Sequence, residues 1–198
     1  CLTLENRMLH HLFPTAIMEF DLSAEECVNG IKELIDTNKD VQAVEHGVID
    51  NGYSSHGADK HILDVDGFAD LKEVFQRCVN EYAGNMCMGD LDIIQSWYNV
   101  YMKGGKIGSH RHEGSVCSAA FYPHAEEGSA DIRFHSPLKP YRMNEIFHEQ
   151  NYLNTYFAEF PAKQNTLYLF PSWLEHETLI NYSSERYVIS FNTQRVQQ

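Results

Sequence analysis

The sequence predicts an α+β fold, with two amphipathic helices leading into a jelly roll or a related double-sheet barrel. Three observations carry this reading. Apolar residues recur at helical spacing in two stretches of the first half. After Gly89 the character changes to short aromatic and β-branched segments set between turn residues. No helical stretch separates these segments, about eight in number, which points to an antiparallel double sheet rather than alternating strand and helix.

The elements follow in order. Ser23-Ala24-Glu25-Glu26 has capping-box spacing, and Ala24, Cys27, Val28, Ile31, Leu34 and Ile35 then recur helically, predicting a helix over 24–37. Residues 39–62 scatter Gly, Asn, Asp, Ser and His without a period and read as a long loop, a first candidate lid. A second helix is predicted over 67–83, with Asp66 as its cap and Gly84 at its end. Its apolar stripe is Phe68, Leu71, Val74, Phe75, Cys78, Val79 and Tyr82. Strands are predicted over 91–103, 107–112, 116–122, 130–135, 154–160, 165–170, 176–180 and 186–194. The polar stretch 137–153, with Pro137 and Pro140, is a second candidate lid. The whole, residues 1–198, is expected to form one domain: 1–89 as helical support and lid, 90–198 as jelly-roll core.

Composition narrows the function classes. A formal charge of −13 argues against a general nucleic-acid binder, which needs clustered Lys and Arg to neutralise phosphates. No apolar run is long enough for a membrane-spanning helix. The first twenty residues carry Glu5, Arg7, His10 and His11 and lack the pattern of a secretory signal. The five cysteines, Cys1, Cys27, Cys78, Cys87 and Cys117, follow no paired spacing, so a reducing cytoplasm is expected. Oligomeric state is not encoded in any pattern of the chain.

Chemistry concentrates in a few residues. His110 and His112 are spaced i, i+2, which places both imidazoles on one face of a strand, after the turn Lys103-Gly104-Gly105-Lys106. His176 follows an apolar strand and a Pro171 turn, and can close a facial set of three nitrogen donors that leaves metal positions open. Taken alone, a His-x-His pair arises readily by chance among 11 histidines, and His176 reads equally well as a core imidazole bonded to a backbone carbonyl. Arg186, ten residues beyond His176, shifts the balance, because a strand-borne guanidinium can hold a carboxylate through a bidentate, charge-assisted pair. The remaining histidines, His10, His11, His46, His56, His61, His124, His135 and His148, default to surface or satisfied positions. His56 and His61 lie in the first candidate lid, within reach of a substrate. Trp97 and Trp173 are expected to pack.

Six segments carry a family resemblance: Gln95-Ser96-Trp97-Tyr98-Asn99, Lys103-Gly104-Gly105, His110-Arg111-His112, Ser118-Ala119-Ala120-Phe121-Tyr122, the run Leu169 to His176, and the run Glu185 to Asn192. Together they resemble the iron(II)/2-oxoglutarate-dependent oxygenases. The resemblance is closest to a group of marine bacteria and their phages distantly related to prolyl 4-hydroxylases. It covers residues 95–194, and Leu12-Phe13-Pro14-Thr15 is also similar to that group.

The resemblance implies a double-stranded β-helix, iron(II), 2-oxoglutarate as co-substrate and molecular oxygen. It implies hydroxylation of a C–H bond in a small-molecule or peptide substrate. It makes His110 and His176 ligands and gives Arg186 the distal carboxylate of 2-oxoglutarate. Ser190 shares a strand face with Arg186, while Asn99 and Tyr168 are weaker candidates for the same pocket. The chain departs from the common pattern at His112, where the superfamily has Asp. Histidine remains a competent iron ligand, and Glu113 would face away on a regular strand. Reading His112-Glu113-Gly114 as the His-x-Gly of halogenases leaves His110 unexplained. Two further alternatives are a metal-stabilised, non-catalytic interaction module and a cupin-like three-histidine dioxygenase. The latter has no use for Arg186.

Overall fold

The computed structural model describes residues 8, 10, 12–42, 49–142, 145–146 and 148–196. Part of each candidate lid (43–48 with His46, and 143, 144 and 147) lies outside them, as do Cys1, Glu5, Arg7 and His11. The described residues form nine strands: β1 (Met18–Asp21), β2 (Ile49–Ser54), β3 (Leu91–His110), β4 (Cys117–His124), β5 (Ile132–His135), β6 (Phe157–Phe160), β7 (Thr166–Pro171), β8 (His176–Thr178) and β9 (Glu185–Arg195). Two helices, α1 (Ile31–Gln42) and α2 (Ala69–Asn85), accompany them.

The strands join in the order β1-β7-β4-β9-β3-β8-β5-β6, with β2 added to β3, and every pairing is antiparallel. β3 belongs to both halves of the curled sheet. Its first part, Leu91 to Met102, pairs with β9, and its last part, Ile107 to His110, pairs with β8. This is an α+β double-stranded β-helix.

Two expected strands, 91–103 and 107–112, are therefore one, bent at Lys103-Gly104-Gly105-Lys106. Gly104 adopts φ +86, and a Cβ on Gly105 would lie 2.6 Å from Asn51 O and 2.9 Å from Met102 O. The buried Asn181 braces this bend: its carbonyl accepts from Gly104 N–H, its own N–H donates to Gly105 O, and its amide donates to Tyr101 O. The expected turn becomes a bulge because an outside strand, β2, and the Asn181 loop satisfy its backbone from both sides.

The first half departs from expectation in three places. Helix α1 starts at Ile31, not residue 24. Gly30, at φ +75, breaks the helical path after a 3-10 turn at Glu26–Val28, and the capping box does not form. The Ser23 N–H donates instead to Asp21 Oδ1 at 2.9 Å. Asp66 does not cap α2, since Phe68 takes the N-cap position and Gly67, at φ +94, sits tightly on Leu34. Residues 39–62 are not one long loop, because α1 runs to Gln42 and β2 occupies 49–54. Asn51 (φ +54) and Gly52 interrupt the alternation of β2 with a bulge, which hides the strand from a period-two reading.

The core has two compartments divided by the sheet. Outside, α2 packs Phe75 against Phe191 and Phe121, with ring centroids 5.2 and 5.1 Å apart. Each such buried side chain contributes about 1.5–3 kcal/mol. Inside, Tyr101, Tyr122, Ile132, Phe134, Tyr168, Phe170, Leu174 and Val188 form a second cluster. Alternation along β9 serves both: Tyr187, Ile189 and Phe191 face the helices, while Arg186, Val188, Ser190 and Asn192 line the interior cavity.

Candidate metal and anion site

The interior cavity measures about 360 Å³. Three imidazoles meet in it. His110, the last residue of β3, lies directly across from His176, the first of β8, and Phe134 of β5 flanks His176 on its other side. His112 has left the strand; its N–H donates to Ser172 O at 3.0 Å, and the chain then turns at Gly114, φ +79. Same-face strand spacing is therefore not what gathers the pair. The chain turns out of β3, and the ring is returned to the cavity from the turn.

Ring centroids lie 4.3 Å apart for His110 and His176, 5.2 Å for His110 and His112, and 5.1 Å for His112 and His176. One nitrogen from each ring lies within 4.8 Å of the others. Glu113 lines the cavity from an exposed position but does not join this cluster.

Each ring has an oxygen neighbour at Nδ1: Gly108 O for His110 (2.9 Å), Leu174 O for His176 (2.9 Å) and Asn192 Oδ1 for His112 (2.7 Å). Oxygens that only accept require Nδ1–H, which leaves all three Nε2 lone pairs for a common centre. Burial disfavours the charged form of all three. It holds His110 below its usual range, His112 down to about 4 and His176 down to about 3. The donor set at neutral pH is thus three uncharged imidazoles, the ligand-competent form, and it suits a borderline divalent ion such as iron(II).

Deeper in the same cavity lies Arg186, 1% exposed. Its Nη1 donates to Ala130 O (2.5 Å) and its Nη2 to Thr178 Oγ1 (3.2 Å). Its Nε is buried without a hydrogen-bond partner. The guanidinium stacks over Tyr101, 4.4 Å from the ring centroid. No described carboxylate forms an ion pair with it, although Asp131 feels its charge. A buried cation so placed costs several kcal/mol of desolvation unless an anion arrives.

Ser190 and Asn99 also line the cavity, Ser190 between Arg186 and Asn192 on β9, and Asn99 beside Ser54. Tyr168 does not reach it. The ring is committed to the inner core, and its hydroxyl donates to Pro161 O at 2.9 Å. His56 lines the cavity and meets Trp97 edge-on at 4.9 Å, whereas His61 is elsewhere. Trp97 packs as expected, but Trp173 is 54% exposed. Sequence reasoning missed Thr178, Tyr101 and the polar group Gln95, Ser118, Ser172 and Asn192. Period-two alternation from Arg186 through Ser190 to Asn192 was the available signal for the last.

The family described as "Putative 2OG-Fe(II) oxygenase" matches residues 95–192. A comparison with curated proteins gave no match. Among solved structures, a Pseudomonas putida prolyl-4-hydroxylase superposes with TM-score 0.66 at 10% identity, over 92% of this chain and 94% of that one. HygX from Streptomyces hygroscopicus, with nickel, 2-oxoglutarate and hygromycin B bound, gives 0.63 at 11% identity, over 92% and 84%. The collagen prolyl hydroxylase of Paramecium Bursaria Chlorella virus-1, a 2-oxoglutarate complex, gives 0.57 at 13% identity, over 91% and 96%. With its double-stranded β-helix and three-imidazole cavity, the chain belongs to the iron(II)/2-oxoglutarate-dependent oxygenase superfamily.

Proposed function

We propose that the protein hydroxylates a C–H bond of a peptide or small-molecule substrate, with His110, His112 and His176 holding iron(II) and Arg186 holding the distal carboxylate of 2-oxoglutarate. One observation carries this reading. A buried guanidinium without a carboxylate partner opens on the same cavity as three neutral imidazoles. A metal ion with an anionic chelator supplies what both lack.

Iron(II) with 2-oxoglutarate and molecular oxygen would supply an oxidant made by decarboxylation to succinate, able to insert one oxygen atom into a C–H bond. The chain's residues do the rest. Arg186 fixes the co-substrate's orientation, and Thr178 and Tyr101 fix Arg186. Ser190 and Asn99 offer polar atoms along the same wall, and Phe170, Ile132 and Val188 keep water from it.

Residues 1–198 are read as a single oxygenase domain. The described cysteines, all unbridged, fit a reducing cytoplasm. Among the described residues no helix is long and apolar enough to cross a membrane. The charge of −13 argues against a general nucleic-acid binder.

Metal analysis of anaerobically prepared protein tests the reading. Wild type should hold one iron per chain and release succinate from 2-oxoglutarate, and His176→Ala should do neither. Equal iron in both sinks the triad. Iron binding without any 2-oxoglutarate consumption favours a metal-stabilised interaction module.

A further inference from the structure

His110 and His176 are each held by the backbone carbonyl two residues earlier in their own segment. That arrangement is local and needs no help from elsewhere. His112 has no such carbonyl, because it lies past the end of β3 in the turn closed by Gly114. Its Nδ1 is met instead by Asn192 Oδ1, eighty residues away on β9.

As the side chains stand, the hydrogen bonds around that amide form one self-consistent chain. Asn192 Nδ2 donates to Gln95 Oε1 at 3.1 Å, which turns Oδ1 toward His112. Ser118 Oγ donates its single proton to the same Oδ1 at 2.8 Å, so it accepts from Ser172 Oγ at 2.7 Å. Ser172, fully buried, also accepts the His112 N–H at its carbonyl. An amide oxygen already fixed as an acceptor can only receive a proton from the imidazole.

We propose that Asn192 is the positioning residue that makes His112 a metal ligand, fixing the Nδ1–H tautomer so that Nε2 faces His110 and His176. The proposal rests on the three-histidine metal reading above. Gln95, Ser118 and Ser172 act one step further out by fixing the amide. An amide supplies this orientation without adding charge, so the ligand set stays neutral where a carboxylate behind the ring would not leave it so. Because Asn192 and Arg186 share one face of β9, a single strand sets both the third metal ligand and the anion clamp.

The test begins with the metal-free protein. Side-chain 15N NMR reports which imidazole nitrogen carries the proton, and His112 should be protonated at Nδ1. Asn192→Leu, shown folded by circular dichroism, should weaken Co(II) binding roughly 10- to 100-fold and alter the visible Co(II) spectrum. Asn192→Asp, which keeps an acceptor at the same place, should recover most of that affinity.

An Nε2-protonated His112 in wild type overturns the proposal, even if every variant fails to fold. So does a folded Asn192→Leu with unchanged Co(II) affinity and spectrum. A wild type that binds no Co(II) overturns both this proposal and the metal reading. A wild type that binds Co(II) but not 2-oxoglutarate damages only the functional reading.

Discussion

Replacing Arg186 with Met separates a binding residue from a structural one. In the apo protein the change removes two hydrogen bonds from a charged donor, about 1.5–3 kcal/mol each, and a stack on Tyr101 worth about 1–2 kcal/mol. Against this it removes a buried, carboxylate-free guanidinium with an orphaned Nε, whose desolvation costs several kcal/mol. It also buries an apolar chain worth about 1.5–3 kcal/mol. The two sides nearly cancel, so apo stability should change by less than about 2 kcal/mol.

Binding is different, because the distal carboxylate loses its only proposed cationic partner. Truncating one member of a buried charge pair costs about 2–5 kcal/mol, or at least roughly 30-fold in affinity. With a redox-inert metal and 2-oxoglutarate at about 100 times the wild-type Kd, the ligand stabilises wild type by about 2.7 kcal/mol. For a chain of this size that is about 5–11 °C in Tm. The variant, about 30-fold weaker, should gain no more than about 0.9 kcal/mol, or roughly 2–4 °C. Thermal scans with and without 2-oxoglutarate read both numbers. A large fall in apo Tm with the ligand-induced shift intact would refute the clamp and make Arg186 structural.

Two further outcomes follow from the imidazoles. His112→Ala should abolish iron-dependent succinate formation, whereas His112→Asp should retain it by restoring the superfamily's usual carboxylate; full activity in His112→Ala would show that residue 112 is not a ligand. Apo stability should fall as pH drops from 6.5 to 5. Burial depresses all three folded-state values, so the unfolded chain takes up protons first, and the stability present above pH 6.5 is lost at up to about 1.4 kcal/mol per pH unit for each histidine. That window lies above the carboxylate range, and chemical denaturation at fixed pH reads the slope directly. A slope that persists after His112 and His176 are both replaced by Ala would assign the effect elsewhere.

The parts of the structure legible in the sequence are those whose signal is periodic or local. The stripe of α2 from Leu71 to Tyr82 and the alternation of β9 each state one burial face, and tertiary packing obeys them. The placement of two candidate residues was legible for the same reason: His176 opens β8 and Arg186 lies on β9, with their spacing intact. β2 was not legible, because Asn51-Gly52 breaks its alternation and its pairing runs across a bulge to β3, far along the chain. The capping box at Ser23 failed because a local motif competes with Gly30 seven residues on, and the glycine's left-handed turn prevailed. Tyr168 points into the same core as the true cavity residues, and nothing in its spacing distinguishes a ring that fills from one that binds.

The support of His112 shows where sequence reading stops for a physical reason. Asn192, Gln95, Ser118 and Ser172 are four small or polar residues on four different segments, joined only by hydrogen-bond direction. Each alone is an ordinary polar residue in a strand or turn; their meaning appears only when β9 lies between β3 and β4 in the observed register, which sets Asn192 opposite both Gln95 and Ser118. That register is fixed from the other face of the same strand, where Tyr187, Ile189 and Phe191 are packed under the helices. A one-residue slip would turn Arg186 and Asn192 outward together. The apolar residues that looked merely structural are thus what holds Arg186, Asn192 and the His112 ring in one cavity.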